Sequence, residues 1–99
     1  MKILIVDDSK AMRMIVRRTL RQAGYGNHDI DEAENGREAL DKIRGAAPDL
    51  VLSDWNMPEM TGIELLETLG ADGTQVKFGF VTSEGSPEMR ARASGAGAL

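Results

Sequence analysis

Ile3-Leu4-Ile5-Val6-Asp7-Asp8-Ser9 runs from four aliphatic residues into two acids and a hydroxyl side chain. An aliphatic run of that length reads as a strand buried on both faces, and the acids place polar groups at its carboxyl end. Leu50-Val51-Leu52-Ser53-Asp54 repeats the pattern. The intervening signals are helical. Ser9 caps a helix on which Met12, Ile15, Val16, Leu20 and Ala23 recur at helical spacing, with Gly24 as its stop. Asn35 with Glu38, and Thr61 with Glu64, resemble capping boxes. Ser86-Pro87 begins a fourth helix that carries Met89, Ala93 and Ala96 on its packing side and breaks at Gly95 and Gly97. Residues 28 to 33 give a weak, charged strand suited to a sheet edge, and Val76 to Val81 a further strand. The resulting β-α-β-α-β-α-β-α order, with crossovers too short to be other than right-handed, predicts an α/β fold around a mostly parallel sheet.

The 99 residues, 41% hydrophobic and 28% charged, are enough for one domain with one core. No cysteine is present, which excludes disulfides, thiol chemistry, iron-sulfur clusters and Cys-rich zinc sites. A formal charge of -4 argues against nucleic acid as a partner held by the overall field. Residues 1–50 balance nine basic against nine acidic groups, so the excess acid lies in residues 51–99, with three basic and seven acidic. Lys10, Arg13, Arg17, Arg18 and Arg21 make the first helix basic, as a solvated face or a docking surface. The opening aliphatic run is far shorter than a signal-peptide core or a membrane helix, so the expectation is a cytoplasmic protein with no membrane partner.

In an open α/β sheet the loops beyond the carboxyl ends of central strands converge, which brings Asp7, Asp8 and Asp54 together. Three carboxylates in close quarters repel one another and take up protons unless a cation neutralises them. Magnesium is the leading choice, because it accepts a few protein oxygens and keeps waters. The chemistry this inventory supports is carboxylate attack on phosphorus to give an acyl phosphate. Thr82 or Ser83, at the next strand end, could donate a hydroxyl hydrogen bond to the phosphoryl group or cap a turn. Trp55 and Met57-Pro58 either shape the site or anchor a packed loop. Gly62 permits close backbone approach at a helix start. His28 lies on the wrong side of the sheet for this cluster and reads as an ordinary surface residue.

Asp7-Asp8 together with Ser53-Asp54-Trp55-Asn56-Met57-Pro58-Glu59-Met60-Thr61-Gly62 resembles a bacterial response-regulator receiver domain, of the single-domain chemotaxis type. Ile5-Val6-Asp7-Asp8-Ser9, Met12-Arg13, Glu34 to Leu40 and Val81-Thr82-Ser83 fit the same family, and the match runs the length of the chain. The resemblance implies a flavodoxin-like doubly wound parallel sheet with strand order 2-1-3-4. Residues 1–99 would form one receiver domain, incomplete at its carboxyl end because the usual fifth strand and fifth helix are missing.

The family pattern also implies that Asp54 accepts a phosphoryl group from the histidine of a sensor kinase. Asp8, Asp54 and the backbone carbonyl of Asn56 would ligate Mg2+, with Asp7 helping directly or through water, and Thr82 would be the switch hydroxyl. Self-catalysed phosphate gain and loss would be the only activity, so no enzyme in the ordinary sense is expected. The implied output partner is the flagellar motor switch or another protein. None of Lys2, Lys10, Lys42 and Lys77 matches the lysine that receiver domains pair with the acceptor aspartate, so poor phosphate acceptance is expected. Without a fifth strand, the edge at residues 76 to 81 is expected to pair with a second chain.

Two other classes remain. One is a non-cycling fragment that serves only as an interaction or domain-swapped module. The other is a haloacid-dehalogenase-like phosphohydrolase, which would need the first acid of an Asp-x-Asp where this chain has Asp7-Asp8-Ser9.

Overall fold

The computed structural model describes residues 1–55, 57, 59–74, 76–81 and 87–98. Its elements follow the order β1 (Lys2–Val6), α1 (Lys10–Leu20), β2 (Asp29–Ala33), α2 (Gly36–Gly45), β3 (Leu50–Ser53), α3 (Gly62–Ala71), β4 (Lys77–Phe80) and α4 (Pro87–Gly95). The strands form one parallel sheet in the order β2-β1-β3-β4, as the sequence implies.

Strand alternation divides the sheet between two layers. Leu4, Val6, Val51 and Phe78 join Ala39, Leu40 and Ile43 of α2, Ile63, Leu65, Leu66 and Leu69 of α3, and Ala93 of α4 in one core. The opposite face carries Ile3 and Ile5, with Leu50 and Leu52 beside them in register. Ile3 and Ile5 are buried, but Leu50 and Leu52 are only partly covered.

Three of the expected helix starts carry their caps. The Ser9 hydroxyl accepts the Met12 amide, and the Asn35 side chain accepts the Glu38 amide. Thr61 and Glu64 form a complete reciprocal box. Beyond α1 the chain continues through a wider π-type turn over Arg21–Tyr25, kinked at Gly24, whose φ of 95° glycine adopts without a Cβ penalty. The expected cap Ser86 lies outside the described residues.

The basic charge of α1 divides: Lys10, Arg18 and Arg21 are exposed, as a solvated face requires, whereas Arg13 and Arg17 are not simply solvated. Arg13 Nε and Arg17 Nη2 grip opposite oxygens of Glu32 at 2.9 and 3.0 Å, so these two cations brace β2. Arg17 also donates to the Ile30 carbonyl at 3.0 Å and Lys42 to the Glu32 carbonyl at 2.6 Å. These two carbonyls point outward from β2, so side-chain donors close that sheet edge. The β4 edge differs. Lys77 and Val81 donate inward, to the Asp49 and Ser53 carbonyls, leaving the backbone of Phe78 and Phe80 facing out with no further strand among the described residues.

His28 is also more engaged than expected. Its Nδ1 lies 3.1 Å from the amino terminus and its ring 5.5 Å from that of Tyr25, at the amino end of the sheet. Among the described residues, no helix is long and apolar enough to cross a membrane.

Candidate functional site

The carboxyl ends of β1 and β3 are tied by a backbone bond, Asp54 N–H to the Val6 carbonyl at 2.9 Å. The Asp7 amide reaches across to the Ala33 carbonyl of β2 at 3.1 Å. This stagger puts the residues just beyond both central strands at one level. Each of Asp7, Asp8 and Asp54 offers an oxygen within 4.8 Å of the others.

Their surroundings differ. Asp7 is 5% exposed, Asp54 is half-buried and Asp8 is open to solvent. The Asp7 carboxylate accepts the Ser9 amide at 2.9 Å, and Asp54 Oδ1 accepts the Trp55 amide at 2.8 Å. Burial pushes the Asp7 carboxyl above its ordinary value, and the nearby charges of Asp54 and Asp8 push it further against the opposing Ser9 bond.

A shared divalent cation fits this donor set. Oxygens on one octahedral Mg2+ stand about 3 Å apart when adjacent and about 4.2 Å when opposite, so closing the present spread needs each side chain to move by about 1 Å. The cation would also relieve the repulsion that raises Asp7. Asp7, Asp8 and Asp54 are thus brought together as the sequence predicts, whereas Asn56, Thr82 and Ser83 lie outside the described residues.

The floor beneath Asp54 is tightly built. Ser53 Oγ donates to the Asp54 carbonyl at 2.8 Å, and the Gly62 amide to the Trp55 carbonyl at 2.8 Å. A Cβ at Gly62 would strike the Asp54 carbonyl oxygen and the Phe80 ring, so α3 can start this close to β3 only from glycine. Met57 is 7% exposed in the core, and Trp55 packs on Phe80 with ring centroids 4.9 Å apart. For both residues the loop-anchor reading is the one the contacts support.

One participant escaped the sequence reading. Arg13 Nη1 donates to the Asp7 carbonyl at 2.6 Å while its Nε holds Glu32. Its place one helical turn after Ser9 puts it beside the acid pair, but a basic residue in a basic helix carries no mark of that task.

Comparison with known proteins agrees with this architecture. The profile of the response regulator receiver domain matches residues 3–99. The chain is 44% identical over 88 residues to the chemotaxis protein CheY1 of Helicobacter pylori strain J99, covering 86% of this chain and 69% of that protein. Against chemotaxis protein CheY-3 of Vibrio cholerae the identity is 49% over 72 residues, 73% of this chain and 54% of the relative. The crystal structure of the Vibrio cholerae chemotaxis protein CheY4 superposes with a TM-score of 0.85 at 36% identity, covering 99% of this chain and 81% of that one. By its sequence, its sheet order and its triad of strand-end aspartates, this chain belongs to the response regulator receiver domain family.

Proposed function

We propose that this chain is a phosphoacceptor module of a two-component, chemotaxis-type pathway, with Asp54 as the acceptor. The observation that carries this reading is the convergence of the Asp7, Asp8 and Asp54 carboxylates within 4.8 Å at the ends of β1 and β3. An Asp54 oxygen attacks the phosphorus of a phosphohistidine on a sensor kinase. The P–O bond forms as the P–N bond breaks, and the departing imidazole takes up a proton. Asp7, Asp8 and Asp54 would hold Mg2+, which when bound supplies charge neutralisation at the phosphoryl oxygens. Asn56 and Thr82 complete the set by their match to the family motif.

Asp7, buried and held by the Ser9 amide, keeps its carboxylate aimed at the acceptor. Trp55, seated on Phe80, fixes the peptide whose amide orients Asp54. The reading includes no turnover of an outside substrate and a cytoplasmic setting. It also includes an output protein such as the motor switch and self-association through the β4 edge.

Incubation with acetyl phosphate and Mg2+, followed by mass mapping, tests the assignment. Stable phosphate on Asp54, lost in Asp54→Asn, is the expected result. Rapid repeated hydrolysis would indicate a phosphohydrolase instead, and no incorporation a non-cycling interaction module.

A further inference from the structure

We infer that Arg13 is a positioning residue for the acidic site, holding the Asp7-Asp8 loop in its cation-binding shape while Glu32 offsets part of its charge. The inference rests on the cation-binding reading above and extends it to a residue that would touch neither the ion nor phosphate.

Arg13 is well placed for this. Its side chain is 14% exposed, its Nη1 bonds the Asp7 carbonyl at 2.6 Å and its Nε bonds Glu32 Oε1 at 2.9 Å. The Asp7 carbonyl and the Asp8 amide belong to one rigid peptide plane and point in opposite directions. Holding the carbonyl toward α1 therefore turns the Asp8 amide the other way and sets the direction from which the Asp8 side chain leaves. Asp7 has burial and the Ser9 amide to order it. Asp8 is solvent-exposed and has most freedom to lose when it binds an ion, so the loop peptide is where ordering matters most.

A bare guanidinium beside three carboxylates would also repel a cation. Here the Glu32 carboxylate, shared with Arg17, contacts Arg13 directly and offsets part of its charge. Arg17 supplies a natural control. It binds Glu32 Oε2 at 3.0 Å and the Ile30 carbonyl at 3.0 Å, both on β2. Loss of either arginine removes a bond to β2, but only Arg13 reaches the acid pair.

Titration calorimetry with MgCl2 on the folded chain and on Arg13→Gln, Arg13→Lys, Glu32→Gln and Arg17→Gln separates positioning from mere bracing. Melting curves in Mg2+-free buffer are recorded for each. Arg13→Gln is expected to weaken Mg2+ binding about tenfold or more, the range for residues that orient metal ligands. Arg13→Lys should recover part of the loss, because an ammonium can reach the Asp7 carbonyl but cannot span it and Glu32 together. Glu32→Gln should weaken binding about threefold, and added salt should diminish that effect by screening the uncancelled guanidinium. Arg17→Gln should lower the melting temperature with less than about a twofold change in affinity. Equal affinities for wild type and Arg13→Gln, or equal losses in Arg13→Gln and Arg17→Gln, would overturn the inference and leave the cation site standing. No Mg2+ binding by the wild type would overturn both.

Discussion

The Asp54 amide donates to the Val6 carbonyl at 2.9 Å, and that bond sets the aspartate that follows β3 level with the acid pair that follows β1. Electrostatic strain in the cation-free protein is the direct cost of that alignment. Asp7 shows it: this buried carboxyl is raised first by burial and then by its acidic neighbours.

Asp7→Asn should therefore stabilise the cation-free chain at neutral pH, raising Tm by about 2–5 °C. Millimolar MgCl2 should raise the Tm of the wild type and leave that of the variant nearly unchanged. Differential scanning calorimetry in EDTA and in MgCl2 checks both outcomes. A wild-type Tm indifferent to MgCl2 would count against the strain argument.

Gly62→Ala should destabilise by about 2–3 kcal/mol, since the added carbon meets the Asp54 carbonyl and the Phe80 ring, and a crowded core relaxes only by shifting backbone. Gly70→Ala, also in α3, has nothing within 4 Å of its added carbon and should be neutral or slightly stabilising. Urea midpoints of the two variants measure the difference.

The acid limb of stability should carry opposite contributions from two aspartates. Asp31 is lowered chiefly by the Glu32 amide and also by Lys42, so its contribution is present above the ordinary carboxylate value and is lost as pH falls through its lower folded value. Asp7 is raised, so its contribution is present below the ordinary value and is lost as pH rises through its higher folded value. Asp31→Asn should flatten the low-pH fall in Tm. Asp7→Asn should remove the loss that sets in above the ordinary carboxylate range. Thermal melts across the acid range, in EDTA, distinguish the two.

The β4 edge should behave differently from the β2 edge, whose outward carbonyls Arg17 and Lys42 already occupy. The wild-type chain is expected to associate reversibly at high concentration, and Gly79→Lys to suppress this by placing charge on the open edge. In the monomer a Cβ at position 79 meets only Leu52, at 3.4 Å, so the fold should tolerate the change. Light scattering over a dilution series reads the outcome. A monomer at every concentration would contradict edge pairing.

The sheet and the acidic triad were legible in the sequence for the same reason. Ile3 to Val6 and Leu50 to Leu52 are apolar enough to identify central strands, and the acids that follow mark the carboxyl ends where such sheets gather their sites. The Thr61 and Glu64 box was equally plain, because both halves lie within one helical turn. Arg13 and Arg17 were not legible as braces. Their partner Glu32 sits 19 and 15 residues away on a strand with almost no hydrophobic signature, and helical spacing says nothing about it. The contrast between sheet edges was hidden likewise, since it depends on which side-chain donors reach the outward carbonyls of β2.

The central claim is that Asp7, Asp8 and Asp54 share one divalent cation beside the acceptor carboxylate. Trp55 is the chain's single tryptophan and its amide is bonded to Asp54 Oδ1, so its fluorescence reports on the site directly. Titration with MgCl2 should give one saturable transition, shifted at least about tenfold, or about 1.4 kcal/mol, to higher concentration by Asp8→Asn. An unresponsive wild type, or superimposable curves for wild type and Asp8→Asn, would contradict the account.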